Sequence, residues 1–281
     1  MNNLDLKITA CKIRKHALDA VHAAKSGHPG GSMSIADILA LLYFEKMKVD
    51  ASNPNWELRD RLVLSKGHCA PALYGALAEA GFIPKEDIKG FRNIRSYLQG
   101  HPDMKKVPGV DMSTGSLGQG VCAAAGMAIA AKLDRKNYRV YAILGDGELE
   151  EGQVWENAMF AAHHNLDNLT VIVDNNGLQI DGNIADVMSP LPIDKKYEAF
   201  NWNVVVADAH DFDSLRAALE NAENCKGKPT AIIAKSVKGK DISFMENEAG
   251  WHGNAPNDEQ YAIAAEELDK KLAELEARKN G

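Results

Sequence analysis

The chain has 281 residues, 45% of them hydrophobic and 25% charged, which is the composition of an ordinary globular protein with enough apolar content for a sizeable core. Its net charge of −7 argues against sequence-independent nucleic-acid binding, which needs a basic surface. Cys11, Cys69, Cys122 and Cys225 are scattered without a Cys-x-x-Cys pair, no apolar signal core precedes Lys15, and no apolar run reaches about 18 residues, so a cytoplasmic protein with reduced, mostly buried thiols and no membrane span is expected.

In chain order, Asp5 to Lys25 carries Leu6, Ile8, Cys11, Ile13, Ala17, Leu18 and Val21 at helical spacing, with Lys, Arg and Asp on the other face. The helix stops at Ser26-Gly-His-Pro-Gly-Gly31, where three glycines and a proline predict a loop that fixes His28. Ser34 is the expected cap of a second helix, Ile35 to Lys46. Arg61 to Leu64 predicts a short buried strand, followed by Ser65-Lys-Gly-His68 and a helix, Ala70 to Ala80, stopped by Gly81. His68 then lies between a strand end and a helix start, a position that suits anions; helix capping is the plainer alternative. Residues 90–120 are irregular, too long for a simple connection, and hold His101 between Gly100 and Pro102. Gly115-Ser-Leu-Gly-Gln-Gly120 opens a small-residue helix, Val121 to Lys132, but lacks the glycine order and preceding strand of a dinucleotide fingerprint.

Arg139 to Leu144 and Leu169 to Val173 read as buried strands joined by a helix, Gly152 to Asn165. Such a unit lays its two strands parallel and near one another. Asp146, in Gly145-Asp-Gly147, and Asn176 then meet at two carboxyl ends, where open α/β sheets bind ligands. A carboxylate and an amide oxygen are hard ligands for Mg²⁺ or Ca²⁺, and Mg²⁺ held by so few groups completes its octahedron with phosphate oxygens and water. Gly145 and Gly147 let the backbone approach a diphosphate, and the next helix aims its N-terminal amides there. Beyond Gly182 the chain is turn-rich to about Asn201. Val204 to Ala207 predicts a strand, Ser214 to Ala222 a helix, and Thr230 to Ala234 a strand. Lys235 to Asn254 is a second long loop with Gly250-Trp-His-Gly253, and Asn257 to Lys279 is an amphipathic surface helix. His163 and His164 are adjacent on a helix and read as structural. The sum is an α/β fold, a doubly wound and mostly parallel sheet with helices on both faces, in one domain over residues 1–281.

Ser26-Gly-His-Pro-Gly30, Ser65-Lys-Gly-His68, Gly100-His-Pro102, Gly115-Ser-Leu-Gly-Gln-Gly120 and Gly145-Asp-Gly147, with the following Asn176, occur in the order found in transketolases. Over roughly residues 10 to 255 the chain resembles the N-terminal, diphosphate-binding part of that family. The resemblance implies thiamine diphosphate as cofactor. Asp146, Asn176 and the Leu178 carbonyl would hold Mg²⁺, with Ca²⁺ or Mn²⁺ as substitutes. Gly147, His68 and His252 would contact the diphosphate. Gly115, Ser116 and Leu117 would line the aminopyrimidine pocket, with Ser116 standing where a proline is common. His28, His101 and His252 would surround the donor sugar's C1 and C2 oxygens. Glu151 matches a glutamate that links two active sites across a dimer.

A complete transketolase is more than twice as long and carries, in its further part, the pyrimidine-binding domain with the cofactor-activating glutamate and most of the sugar-phosphate grip. The resemblance therefore implies one subunit of a split transketolase, inactive alone, that joins a C-terminal partner subunit in an α₂β₂ assembly acting on sugar phosphates. The competing readings are the α subunit of a 2-oxo acid dehydrogenase or another thiamine-dependent enzyme, and a non-catalytic cofactor-binding homologue. The first would share the Gly-Asp-Gly and Asn core without the Ser-Gly-His-Pro-Gly and Gly-His-Pro motifs. The second would be expected to have lost the histidines or metal ligands.

Overall fold

The computed structural model describes residues 1–280. The chain opens with three helices, α1 (Asn3–Ala24), α2 (Pro29–Ser34) and α3 (Ala36–Leu41), the last running into a π-helical turn, Leu42–Lys46. Strand β1 (Arg61–Leu64) leads through a 3₁₀ turn, Gly67–Cys69, into α4 (Ala70–Glu79). After the long irregular segment come α5 (Gln119–Leu133), β2 (Val140–Gly145), α6 (Gly152–His163) and β3 (Leu169–Asn175). A small hairpin, β4 (Leu178–Gln179) and β5 (Gly182–Asn183), is followed by α7 (Ile184–Val187) and α8 (Ile193–Ala199). The chain closes with β6 (Asn203–Asp208), α9 (Phe212–Asn224), β7 (Thr230–Lys235) and α10 (Asp258–Asn280).

The five longer strands form one sheet in the order β1-β2-β3-β7-β6, every pair parallel. Parallel strands covered on both faces need apolar side chains in both directions, which is why β2, β3 and β7 read as unbroken apolar runs. Tyr141, Ile143, Ile172 and Ile232 enter one buried cluster with residues of α1, α3, α4 and α9. The alternate residues Ala142, Leu144, Val171, Val173 and Ile233 enter another with α5, α6 and α8. The register sets Gly145 beside Asp174, and Asp174 beside Ala234, so the carboxyl ends of the three central strands finish level.

The two helical surprises lie near this edge. Pro29–Ser34 is not a loop but a helix, with His28 at its cap and Pro29 in its first turn. Ser34 is accordingly not an N-cap; its hydroxyl donates to the Asp174 carboxylate at 2.7 Å. Proline fits a first turn because its missing N–H has no partner there. The glycines serve close approach: a Cβ on Gly30 would stand 2.9 Å from the Trp251 carbonyl, and one on Gly31 would stand 2.8 Å from the Cys69 sulfur. The stretch read as turns also contains α8, which buries Ile193 and Tyr197 against the sheet. Of the thiols, Cys11 and Cys69 are buried, while Cys122 and Cys225 are partly exposed. His163 and His164 lie exposed at the end of α6, with ring centroids 4.9 Å apart, and His164 packs on Phe160 at 4.4 Å.

Helix α10 lies along α1, at the other end of the sequence, and buries Ala264, Leu268 and Leu275 with Ile8, Cys11 and Leu18. It also anchors the strap that returns from β7. Ser243 N donates to Glu267 at 2.8 Å, Lys271 pairs with Asp241, and Asp241 in turn meets the buried Arg14 of α1 at 3.1 Å. Among the described residues no helix is long and apolar enough to cross a membrane.

Gly120 seats α5 on the end of β1: a Cβ there would lie 2.7 Å from the Ser65 Cα, a backbone atom that cannot yield. Gly120→Ala is expected to destabilise the fold by about 1–3 kcal/mol through overpacking, read as a lower urea midpoint. An unchanged midpoint would contradict this packing.

Candidate active site

The level strand ends open into a cavity of about 500 Å³. On its acidic side stands Asp146, only 1% exposed, immediately beyond β2. Its carboxylate accepts from Gly147 N at 3.0 Å and from Gly177 N at 2.6 Å, so the two strand exits are tied together through it. Asn176 follows β3 directly. Its amide nitrogen donates to Asp174 at 3.1 Å, which fixes the oxygen on the other side, where it accepts from Leu178 N at 3.0 Å. The Leu178 carbonyl accepts from Lys238 Nζ at 3.4 Å. Burial, with the charge of Asp174 beside it, pushes the Asp146 carboxyl up to about 7.

Behind this wall lies a fully buried ion pair. Lys66, beyond β1, and Asp174, at the end of β3, are 2% and 0% exposed and in direct contact. Burial works against both charges, yet their attraction prevails, raising the ammonium and lowering the carboxyl. A third buried carboxylate, Glu148, accepts from Gly118 N at 2.9 Å, Gly145 N at 3.2 Å and the Ser65 hydroxyl. It fastens the start of α5 to the ends of β1 and β2.

Three imidazoles face the acidic wall. The rings of His28, His68 and His252 form a triangle with centroids 5.0, 5.1 and 5.4 Å apart. His252 reaches the triangle on the strap after β7, seated by the Gly239 N bond to the Gly30 carbonyl at 2.9 Å. Its Nδ1 accepts from Lys238 Nζ at 3.0 Å, which leaves its proton on Nε2. His28 Nδ1 is buried without a partner. His101 stands apart, exposed at the mouth, with its ring on Gly115: a Cβ at that glycine would lie 3.1 Å from the imidazole.

The cavity thus gathers His28, His68, His101 and His252 with Asp146, Asn176 and Leu178, and Gly115, Leu117, Gly145, Gly147 and Glu151 also line it. Ser116 is exposed and does not line it. The sequence reading missed Lys238, Glu148 and the pairing of Lys66 with Asp174. Lys66 sits inside a motif already singled out, and Asp174 two residues before Asn176, but nothing local says that they meet. The hairpin residues Gln179 to Asp181 complete the rim.

The donor set fits a hard divalent cation: one carboxylate, one amide oxygen and one carbonyl, with a carboxyl whose burial leaves it short of positive charge. The facing side, with Lys238 and three N–H-bearing rings, fits an anion. Burial, then neighbouring positive charge, lowers the imidazoles: His28 to about 4, with Arg92 the first such neighbour, His252 to about 3, with Lys238, and His68 well below its ordinary value. A histidine held neutral in the fold lends stability above its unfolded pKa of about 6.5 that is lost as pH falls toward the folded value. Asp146, raised to about 7, contributes with the opposite slope between about 4 and 7. The urea midpoint of His28→Gln should therefore fall less steeply than wild type between pH 6.5 and 4. Parallel curves would mean that His28 is not held neutral.

The sequence matches the family described as transketolase, thiamine diphosphate binding domain, over residues 6–274. It is 44% identical to the 6-deoxy-6-sulfo-D-fructose transketolase subunit SqwG of Clostridium sp. (strain MSTE9), over 96% of this chain and 98% of that one. It is 39% identical to an apulose-4-phosphate transketolase subunit of Phocaeicola vulgatus, over 98% of both chains. The crystal structure of transketolase from Campylobacter jejuni superposes with a TM-score of 0.86 at 32% identity, covering 99% of this chain but 48% of that longer one. This chain belongs to the transketolase family, as its thiamine-diphosphate-binding N-terminal part.

Proposed function

We propose that this chain is the N-terminal subunit of a two-chain transketolase, transferring a two-carbon ketol unit from a ketose phosphate to an aldose phosphate with thiamine diphosphate and a divalent metal, Mg²⁺ in the first place. The observation that carries the reading is the convergence, in one cavity, of the Asp146, Asn176 and Leu178 oxygens with the imidazole triangle. Two relatives of nearly the same length are named as transketolase subunits, for 6-deoxy-6-sulfo-D-fructose and apulose 4-phosphate, which supports a separate C-terminal partner and a phosphorylated or sulfonated sugar as substrate.

In this reading residues 1–281 form one cofactor-binding domain of a cytoplasmic enzyme. Asp146, Asn176 and the Leu178 carbonyl hold the metal. Gly145, Gly147, His68 and His252 meet the diphosphate, and Gly115, Ser116 and Leu117 offer backbone to the aminopyrimidine. Thiamine diphosphate, when bound, supplies a carbon nucleophile and electron sink for breaking a ketose C2–C3 bond. The protein's share is proton placement. His252, its proton on Nε2, donates toward sugar oxygens, and His28 and His101 exchange protons with hydroxyl and carbonyl groups at the mouth. The negative charge of a bound diphosphate would raise the lowered imidazole pKa values toward neutral pH, where such exchange is fastest. Glu151, exposed and lining the cavity rim, would link to a second active site across the assembly. Met159 and Phe160 on α6, 58% and 40% exposed, support a partner interface on that face in an α₂β₂ assembly.

Three measurements test the proposal. With the partner present, thiamine diphosphate and Mg²⁺ at about 100 times Kd should stabilise the protein by roughly 2.7 kcal/mol, seen as a higher melting temperature. Asp146→Ala should lose that shift, and an unchanged shift would remove Asp146 from the metal site. Two-carbon transfer should be absent from this chain alone and present when the C-terminal subunit is added; full activity from the single chain would overturn the split reading. In the assembled enzyme, His28→Ala or His101→Ala should lower turnover by about 10²–10⁴-fold while leaving cofactor binding nearly intact.

A further inference from the structure

Arg92 occupies a backbone position that does not suit it. Gly90 to Asn93 form a tight turn closed by Asn93 N donating to the Gly90 carbonyl at 2.9 Å. Phe91 has φ −49° and ψ 131°, and Arg92 has φ +59°, the geometry of a type II turn. The third position of such a turn takes glycine or asparagine, because a Cβ there is strained. An arginine kept in that position points to a use for its side chain, since strained residues gather where function over-determines them.

The side chain joins two loops. Its Nη1 donates to the Ser26 hydroxyl at 2.5 Å, two residues before His28. The guanidinium lies flat on Gly100, just before His101: a Cβ on that glycine would meet Nε at 2.7 Å and Cζ at 3.0 Å. The His101 loop is held from its other side by Tyr74, whose hydroxyl donates to the Gln99 carbonyl at 2.8 Å and reaches the His101 carbonyl at 3.3 Å. The Ser26 loop is pinned by Gly27, where a Cβ would meet Val21 at 2.8 Å and Phe91 at 3.2 Å. Arg92 Nε is buried without a partner, so the fork is not consumed by the fold's own hydrogen bonds.

We propose that Arg92 is a positioning residue that clamps the loop of His28 to the loop of His101 and so sets the distance between these two imidazoles across the cavity mouth. The inference rests on the roles given above to His28 and His101. The cation also acts on the rings electrically. His28 is faced by Arg92, His101, Lys238 and Lys66 and by the rings of His68 and His252. His101 is faced by Arg92, while Asp103, two residues on, is turned into its own loop by Lys105 N at 2.9 Å. Burial comes first and Arg92 second in keeping both His28 and His101 neutral.

Two variants separate clamp from scaffold. Arg92→Gly relieves the strained backbone and removes the fork; Arg92→Lys keeps the charge without the planar fork. In the complex with the C-terminal subunit, thiamine diphosphate and Mg²⁺, Arg92→Gly should lower kcat at least tenfold, with cofactor affinity and melting temperature close to wild type. NMR titration of the Cε1–H signals in this chain should show His28 and His101 titrating at higher pH in Arg92→Gly and near wild type in Arg92→Lys. The acid limb of the kcat profile should move up in pH in the same variant. Wild-type turnover and wild-type titrations in Arg92→Gly would overturn the proposal, as would a lost turnover accompanied by a collapse in melting temperature and unmoved titrations. If the wild-type complex transfers no two-carbon unit, the transketolase reading fails, and the titrations alone then decide the clamp.

Discussion

The Asp174 carboxylate is the point on which the site turns. It is fully buried at the end of the central strand β3, and it collects the Lys66 ammonium, the Ser34 and Ser236 hydroxyls and the Asn176 amide. These four groups come from the exits of β1, β3 and β7 and from the end of α2. A lone charge in that interior would be untenable, and removing one member of such a pair typically costs about 3–5 kcal/mol because the other is stranded. Every acceptor position used is therefore a constraint on geometry. Through Asn176 the constraint reaches the oxygen proposed to touch the metal, and through Ser34 it fixes the helix that His28 caps.

The charge pattern around that centre is divided. On one side burial and the charge of Asp174 raise the Asp146 carboxyl. On the other, burial first and then neighbouring positive charge, Lys66 and Lys238 included, suppress the protonation of three imidazoles. In the proposed reading Asp146 would hold the metal while the lysines and rings would receive the diphosphate, so one ligand would answer both sides. The buried charges that shape the cavity are fixed by the fold's own hydrogen bonds and ion pairs.

Much of this could be read along the chain. The strands of the sheet announced themselves as apolar runs, and the histidines stood out because glycine and proline held each in a loop. Asp146 and Asn176 were legible because the strand–helix–strand unit brings neighbouring strand ends together. What stayed hidden was set by packing over long sequence distances. Lys66 and Asp174 are 108 residues apart, and Lys238 matters only because the strap folds back over Gly30. Helix α2 was misread as a loop since Pro-Gly-Gly is a breaker by local propensity. Its glycines are there to admit the strap and Lys66, and tertiary contacts outweigh propensity. Arg92 gave no signal at all, because its turn geometry and its reach to Ser26 exist only once the fold is made.

The anchoring of the strap by α10 has a consequence for how the molecule is built. Cys11 on α1 donates to the Leu268 carbonyl of α10, 257 residues away, and the same helix pair grips Asp241 and Ser243 of the strap. A chain leaving the ribosome can complete its sheet and set Asp146 beside Asn176 while the strap has its Gly30 and Arg14 contacts but not yet those of Glu267 and Lys271. The strap that carries Lys238 and His252 gains its last anchors when α10 emerges and finds α1, a closure over a very long loop. The part of the histidine side that the strap carries is thus the last of the site to be fully anchored during synthesis.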